Sequence, residues 1–230
     1  MAGGREVTNV VGQMAISPHG RPASVVAVVD ACAYGRLGIQ GALLQPAMTP
    51  APAGVDAFGS VTSALCAVAP AGRCLVVRLS RWPSLAVTQL LHLEGARLTQ
   101  AGIQRVVILS PFAVNTVVRE ALVCGAVHVP IRIVDARCPV VVLRRVVLAQ
   151  GTLLQEGRDE LLPHMPAMVL SVPERRVLLT TLQEIPIHRQ ALRQYRNHKT
   201  LYAQRKNALK KMRVPSLAAL LHRFAVASGR

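Results

Sequence analysis

Short apolar runs alternate with amphipathic segments through the first two thirds of the chain. The longest runs, at 24–30, 74–79 and 105–110, have no polar alternation, which predicts strands buried on both faces. Weaker strand patterns lie at 55–59 and 126–129. The intervening segments predict helices at 36–45, 60–69, 84–101, 114–124 and 139–150. Strictly alternating strands and helices predict an α/β domain with a parallel five-stranded sheet covered on both sides.

The last third of the chain predicts helices only. Ser171 and Glu174 form the spacing of a capping box at the start of a first helix. Further helices are predicted at 188–195, from Lys199 to Met212 after an Asn197 cap, and at 216–226. In the third of these, one stripe is apolar at helical spacing: Leu201, Ala208, Leu209 and Met212.

These patterns divide the chain into four parts. Residues 1–22 are predicted to be disordered, 23–150 to form the α/β domain, 151–167 to be a linker and 168–228 to form an all-α, four-helix domain.

Charge distinguishes the tail from the rest. The chain has a net charge of +16, and no acidic residue follows Glu184, whereas eleven Lys and Arg residues do. Such a segment attracts a polyanion. A basic helix with an apolar inner stripe also suits the major groove of double-stranded DNA, which is roughly 12 Å wide.

Other classes of protein find little support in the sequence. The apolar runs are far shorter than the ~20 residues that span a membrane, and the start of the chain has no continuous apolar stretch, so we expect a cytoplasmic protein. The five cysteines and seven histidines show no metal-ligand spacing. With no nucleophile elbow and no glycine-rich phosphate loop, we expect no enzyme, metal or cofactor.

The tail resembles the LuxR/NarL-type helix-turn-helix. Its family pattern appears as Leu170-Ser171, Glu174 and Val177-Leu178, then as Lys199-Thr200-Leu201 and Lys211-Met212-Arg213-Val214. The resemblance implies that the helix from Lys199 to Met212 is the recognition helix. It also implies a dimer contact through the last helix, at Leu217, Leu220 and Leu221. The scaffold helix departs from the family at Arg189-Gln190-Ala191 and Gln194, and Leu192 and Tyr195 are expected to pack in their place.

This assignment gives a set of candidate DNA-contacting residues. Candidates for base or groove contacts are Lys199, Thr200, Tyr202 and Lys206; candidates for phosphate contacts are Arg196, Arg205, Lys210 and Lys211; Asn197 and Ala203 complete the set.

The α/β part resembles a response-regulator receiver that lacks its chemistry. Asp30 matches one acid of the family's opening pair, but Ala31 follows it, and Arg78 fills the position of the phosphoacceptor. The segment 125–130 has no lysine, and only Ser110 keeps the family's switch hydroxyl. Phosphoryl transfer needs carboxylates for Mg²⁺ and a lysine for the developing charge, so phosphorylation at this position is not expected.

Two side chains near this position leave alternatives open. Arg78 either pairs with Asp30, where a receiver would hold its metal, or turns to solvent. Trp82 either packs in the core or lines the surface for a partner or ligand.

The sequence therefore predicts a transcription regulator that binds DNA sequence-specifically as a dimer, without phosphorylation. Two alternatives stay open. One is an auxiliary subunit that binds DNA as a heterodimer with a related regulator. The other is a ligand sensor whose receiver-like domain binds a small molecule.

Overall fold

The apolar runs form a parallel sheet in the computed structural model, which describes residues 25–45, 52, 54–67, 72–113, 115–148 and 160–227. The sheet has five strands in the order β2-β1-β3-β4-β5, the doubly wound order of flavodoxin-like domains. The strands are β1 Val25–Val29, β2 Gly54–Phe58, β3 Arg73–Arg78, β4 Ile103–Ser110 and β5 Ile131–Asp135. The predicted fold class is thus confirmed.

Ten α-helices are found in the described part of the chain. Six belong to the α/β part: α1 Ala33–Leu44, α2 Val61–Cys66, α3 Pro83–His92, α4 Gly95–Gln100, α5 Thr116–Cys124 and α6 Val140–Leu148. Four form the tail: α7 Val172–Leu182, α8 Ile187–Gln194, α9 His198–Lys211 and α10 Leu217–Ala227. None of these helices is long and apolar enough to cross a membrane.

Two predicted elements are wrong. The helix expected at 84–101 is two helices, α3 and α4, with a break at Leu93 and Glu94. The strand expected at 126–129 is a turn, and the fifth strand is β5 at the edge of the sheet, where Ile131 is buried and the other four residues are half-buried or exposed. A strand at the edge can hold polar residues such as Arg132 and Asp135, which interrupt the apolar pattern, so the sequence did not predict β5.

Two predicted segments fall largely outside the described residues. The N-terminal segment 1–22 and positions 151–159 of the expected linker cannot be compared with the structure. Within 160–167, Glu160 forms an isolated antiparallel bridge with Ile131, and a single 3₁₀ turn begins at Pro166. The boundaries proposed for the two domains stay predictions.

Each face of the sheet has its own apolar core. Val26, Val28 and Val76 face α1 and α6. On the other face, Ala27, Leu75 and Val77 belong to a larger core, which continues through α3 and α5 into α7, α9 and α10. We call this larger cluster the main core. It joins the sheet to the helical tail without a break.

Candidate nucleic-acid interface and sheet-edge site

Helix α7 begins with the predicted capping box. The Ser171 N–H donates to Glu174 Oε2 (2.8 Å), and the Glu174 N–H donates to Ser171 Oγ (3.4 Å). Glu174 is buried and also accepts a hydrogen bond from Lys211 Nζ at 2.7 Å. Burial alone would raise the pKa of Glu174, but the bonds from Lys211 and Ser171 hold it below its ordinary value.

Helix α9 is fixed by its cap and by its apolar stripe. The Asn197 side chain accepts a hydrogen bond from the Lys199 N–H at 2.8 Å, as the sequence predicted. Leu201 packs with the α7–α8 cluster, while Ala208 and Leu209 lie in the main core. The opposite side of α9 therefore has to face outward.

The outward side of α9 presents most of the candidate DNA-contacting residues. The exposed ones are Lys199, Thr200, Tyr202, Ala203, Lys206 and Lys210, with Arg205 half-buried and exposed Arg196 in the turn just before the helix. The guanidinium carbon of Arg205 lies 5.1 Å from the centre of the Tyr202 ring, a cation–π contact. We call this exposed set the basic face. Helix α9 has no acidic residue, so every formal charge on its exposed side is positive.

Two candidates also have structural contacts within the chain. The Nζ of Lys211 donates to Val169 O (3.0 Å) and to Glu174, so it ties the end of α9 to the start of α7, and its contact with DNA stays a prediction. The side-chain oxygen of Asn197 is occupied by its capping bond, although the residue itself is exposed.

The packing of helix α8 differs from the expectation. Leu192 is 74% exposed and Tyr195 is 96% exposed, so neither packs in the core. Ile187 and Ala191 are buried, and fully buried Gln190 donates from Nε2 to Ile185 O (2.8 Å) and Thr181 Oγ1 (3.2 Å). The donor group of this buried amide is satisfied, while its Oε1 has no hydrogen-bond partner among the described residues.

The predicted dimer contact lies partly inside the chain. Leu220 is buried in the main core, and Leu217 and Leu221 are only half-exposed. On the same helix, the Phe224 ring meets the Phe112 ring edge-on at 5.3 Å, and Arg223 Nη2 lies 2.6 Å from Glu120 Oε2. Leu220 is thus covered by its own chain, whereas Leu217 and Leu221 keep part of their surface free, and the dimer contact through this helix stays a prediction.

The second site lies where the parallel strands end. Register places Asp30 just beyond β1, with Arg78 opposite Leu109 of the adjacent β4 strand. The structure has the ion pair that was one of the two alternatives: Arg78 Nη1 lies 3.0 Å from Asp30 Oδ2. The other carboxylate oxygen accepts the Cys32 N–H at 2.8 Å. Asp30 is thus fully engaged by its own chain.

Gly35 makes room for this pair. A Cβ at this position would overlap Asp30 Oδ2 and come within 2.7 Å of Arg78 Nη1. The third predicted residue of the site, Ser110, is buried and its Oγ accepts the Phe112 N–H at 3.2 Å.

An open cleft of about 360 Å³ borders the ion pair. We call it the sheet-edge cleft; its lining includes Asp30, Arg78, Arg81, Trp82, Gln89 and Arg137. Sequence reasoning missed Arg81, Gln89 and Arg137. Their only signal was position, since Arg81 follows β3 and Arg137 follows β5, and in a parallel sheet these ends meet. Trp82 is 72% exposed, so it does not pack in the core.

Comparisons with known proteins give structural neighbours only. No protein-family model matches the chain, and no curated protein is detectably similar in sequence. A structure of the response regulator RcsB with DNA is 16% identical and has a TM-score of 0.48, covering 88% of this chain and 98% of its own.

Two further structures are similar at the same level. RcsB from Salmonella typhimurium is 19% identical, with coverage of 89% and 98% and a TM-score of 0.47. FixJ from B. japonicum is 19% identical, with coverage of 89% and 97% and a TM-score of 0.39. At these values, the function of this chain has to be argued from its own residues.

Two glycines of α1 offer a matched test of the ion pair. Gly35→Ala should destabilise the protein by about 1 kcal/mol, since the added methyl displaces Asp30 from Arg78 and from the Cys32 N–H. Gly41→Ala has open space around it and should stabilise by about 0.5–1 kcal/mol through helix propensity. Urea unfolding of both variants measures the difference. Equal shifts in the same direction would contradict the role assigned to Gly35.

The lowered pKa of Glu174 predicts a pH-dependent contribution to stability. A carboxylate whose pKa is lower in the folded state stabilises the fold above its unfolded pKa, and this stability is lost as pH falls through the folded pKa. Glu174→Gln should therefore lower the free energy of unfolding at pH 7 by about 1–3 kcal/mol, with a gap to the wild type that shrinks below about pH 4.5.

The control for Glu174 is Glu184→Gln, an exposed acid of the same helical tail. It should change unfolding little at either pH. A Glu174→Gln deficit that stays constant from neutral to acid pH would show that the charge of Glu174 is not what stabilises α7 against α9.

Proposed function

We propose that this chain is a sequence-specific, DNA-binding transcription regulator that uses α9 as its recognition helix. The observation on which this depends is the basic face, an exposed cationic side on a helix whose apolar side is fixed in the core. Lysine and arginine bind phosphates and guanine edges, and threonine and tyrosine hydroxyls bind phosphates or bases.

The position and the chemistry of each side chain decide whether we assign it to a base or to a phosphate. Lys199, Thr200, Tyr202 and Lys206 are the proposed base or groove contacts, because they lie on the exposed side of the first two and a half turns of α9. Arg196, Arg205 and Lys210 are the proposed phosphate contacts. Ala203 is exposed between these residues, and its small side chain permits close approach of the helix to the groove.

Regulation without phosphorylation is the second part of the proposal. Among the described residues that line the sheet-edge cleft, Asp30 is the only carboxylate, and it is already paired with Arg78. A guanidinium beside this carboxylate opposes a divalent cation, and it offers no nucleophile to a phosphoryl group.

Assembly on DNA remains a choice between two forms. A homodimer places two α9 helices on symmetric DNA half-sites about one helical turn apart. A heterodimer with a related regulator binds an asymmetric DNA site. Because Leu220 is buried in its own chain, a dimer contact through α10 would rest on half-exposed Leu217 and Leu221. The molecular mass of the purified chain, alone and with a candidate partner, distinguishes the two forms, as does the symmetry of the selected DNA motif.

DNA binding is tested with the full chain and duplexes that it selects from a randomised pool. Lys210→Ala should weaken binding to all duplexes alike and reduce the slope of log K against log salt by about 0.9, because one phosphate contact is lost. Lys206→Ala should reduce discrimination between selected and unselected duplexes by about 1–3 kcal/mol.

The matched control for charge is Arg145→Ala, which removes an exposed cation from α6 of the α/β part. It should leave the salt dependence unchanged. Salt-insensitive binding by the wild-type chain, or a Lys206→Ala variant with unaltered affinity and preference, would contradict the assignment of α9.

Phosphorylation independence is tested with acetyl phosphate and Mg²⁺. The intact mass of the chain should stay that of the unmodified protein, and its affinity for the selected duplex should not change, since no free carboxylate lies in the sheet-edge cleft. A stable phosphoryl group mapped to the α/β part would overturn this part of the proposal.

A further inference from the structure

The sheet-edge cleft has the position and the size of a ligand site. Its volume of about 360 Å³ falls within the range of about 300–1,000 Å³ that is usual for small-molecule pockets. Two of its walls are the loops after β1 and β3, the adjacent strands from which the chain departs in opposite directions. Open parallel sheets bind ligands in the crevice at this switch point.

The charge of the cleft favours an anion. Arg78, Arg81 and Arg137 line it together with the single carboxylate of Asp30, which leaves two positive charges in excess. Arg78 is neutralised by Asp30, whereas Arg81 and Arg137 have no acidic partner among the described residues. Arginine recognises phosphate through paired hydrogen bonds, so these two side chains suit a phosphate group.

Trp82 adds an aromatic surface beside these charges. The loop that bears it is held in place, because Ser80 Oγ accepts the Trp82 N–H (3.1 Å) and Gln89 Oε1 accepts the Ser80 N–H (2.8 Å). Gln89 Nε2 also donates to Arg78 O at 3.2 Å, which joins this loop to the end of β3. A large indole on a fixed loop, exposed and next to unpaired arginines, is a stacking surface for a planar ring.

We propose that the sheet-edge cleft binds a small phosphorylated compound with a planar ring, of the mononucleotide class. Arg81 and Arg137 hold the phosphate, and Trp82 stacks on the ring. The Asp30–Arg78 ion pair already engages the only carboxylate that lines the cleft. The ligand therefore lies over this ion pair and is held by arginine side chains, not through Mg²⁺. The cleft shares no residue with the basic face, and the proposal does not depend on DNA binding.

The sequence supplies its own reporter, because Trp82 is the only tryptophan in the chain. Fluorescence of the full-length protein is titrated with AMP and GMP as probes, and with adenosine and inorganic phosphate as the separate halves of the ligand. Saturable quenching by at least one nucleotide, with at least tenfold weaker binding of either half, is the expected result.

Three variants of the cleft and two control variants locate the binding. Arg81→Gln and Arg137→Gln should each weaken nucleotide binding at least tenfold, whereas Arg145→Gln, on the exposed side of α6, should bind like the wild type. Calorimetry on Trp82→Ala, which lacks the reporter, should show a similar loss. Lys206→Ala should leave nucleotide affinity unchanged, although it impairs DNA recognition.

Three results would overturn the proposal. The first is the absence of saturable quenching with either nucleotide. The second is inorganic phosphate binding as tightly as the nucleotides, which would leave no part for the ring. The third is equal loss of affinity in the Arg137→Gln and Lys206→Ala variants, which would place the nucleotide on the basic face.

Discussion

The structure depends on a sheet that has to be buried on both faces. The strands are so uniformly apolar that each face of the sheet needs a helical layer. Helices α3 and α5 form one such layer, and they have apolar residues both on the side that faces the sheet and on the side that faces away from it. That second apolar side is covered by α7 and α10. The main core therefore extends from Leu75, in the middle of the sheet, to Phe224 in the last helix.

This continuity determines which surfaces the helical tail exposes. Since α7 and α10 face the α/β part, α9 is left on the outer side with its basic face uncovered, and the contact between Lys211 and Glu174 sets its orientation against α7. The same packing buries Leu220 in the main core, so only Leu217 and Leu221 of the predicted dimer contact stay partly exposed.

The parts that sequence could predict are those with a strong local signal. Uniform apolar runs predicted the buried strands β1, β3 and β4. Apolar periodicity and capping residues predicted the helices α7 and α9. Directly after the break between α3 and α4, a Cβ on Gly95 would overlap Ala126 O, so two segments distant in sequence approach closely there, and no local pattern predicts such a contact. Leu192 and Tyr195 were misjudged, and Trp82 was left open, for a related reason, since hydrophobicity alone does not determine which side of an element is covered.

The sheet-edge cleft and the main core meet at a single residue. Leu79 lines the cleft and is also buried in the main core, which includes Phe112 and its ring contact with Phe224 of α10. A ligand in the cleft can influence α9 only if it binds one packing of this core more tightly than another. The distance along the chain between the cleft and the main core is short, because the loop after β3 contains both Trp82 and Leu79. Under the phosphorylation-independent regulation proposed above, this short connection lets a bound molecule, rather than a covalent group, shift the helical tail.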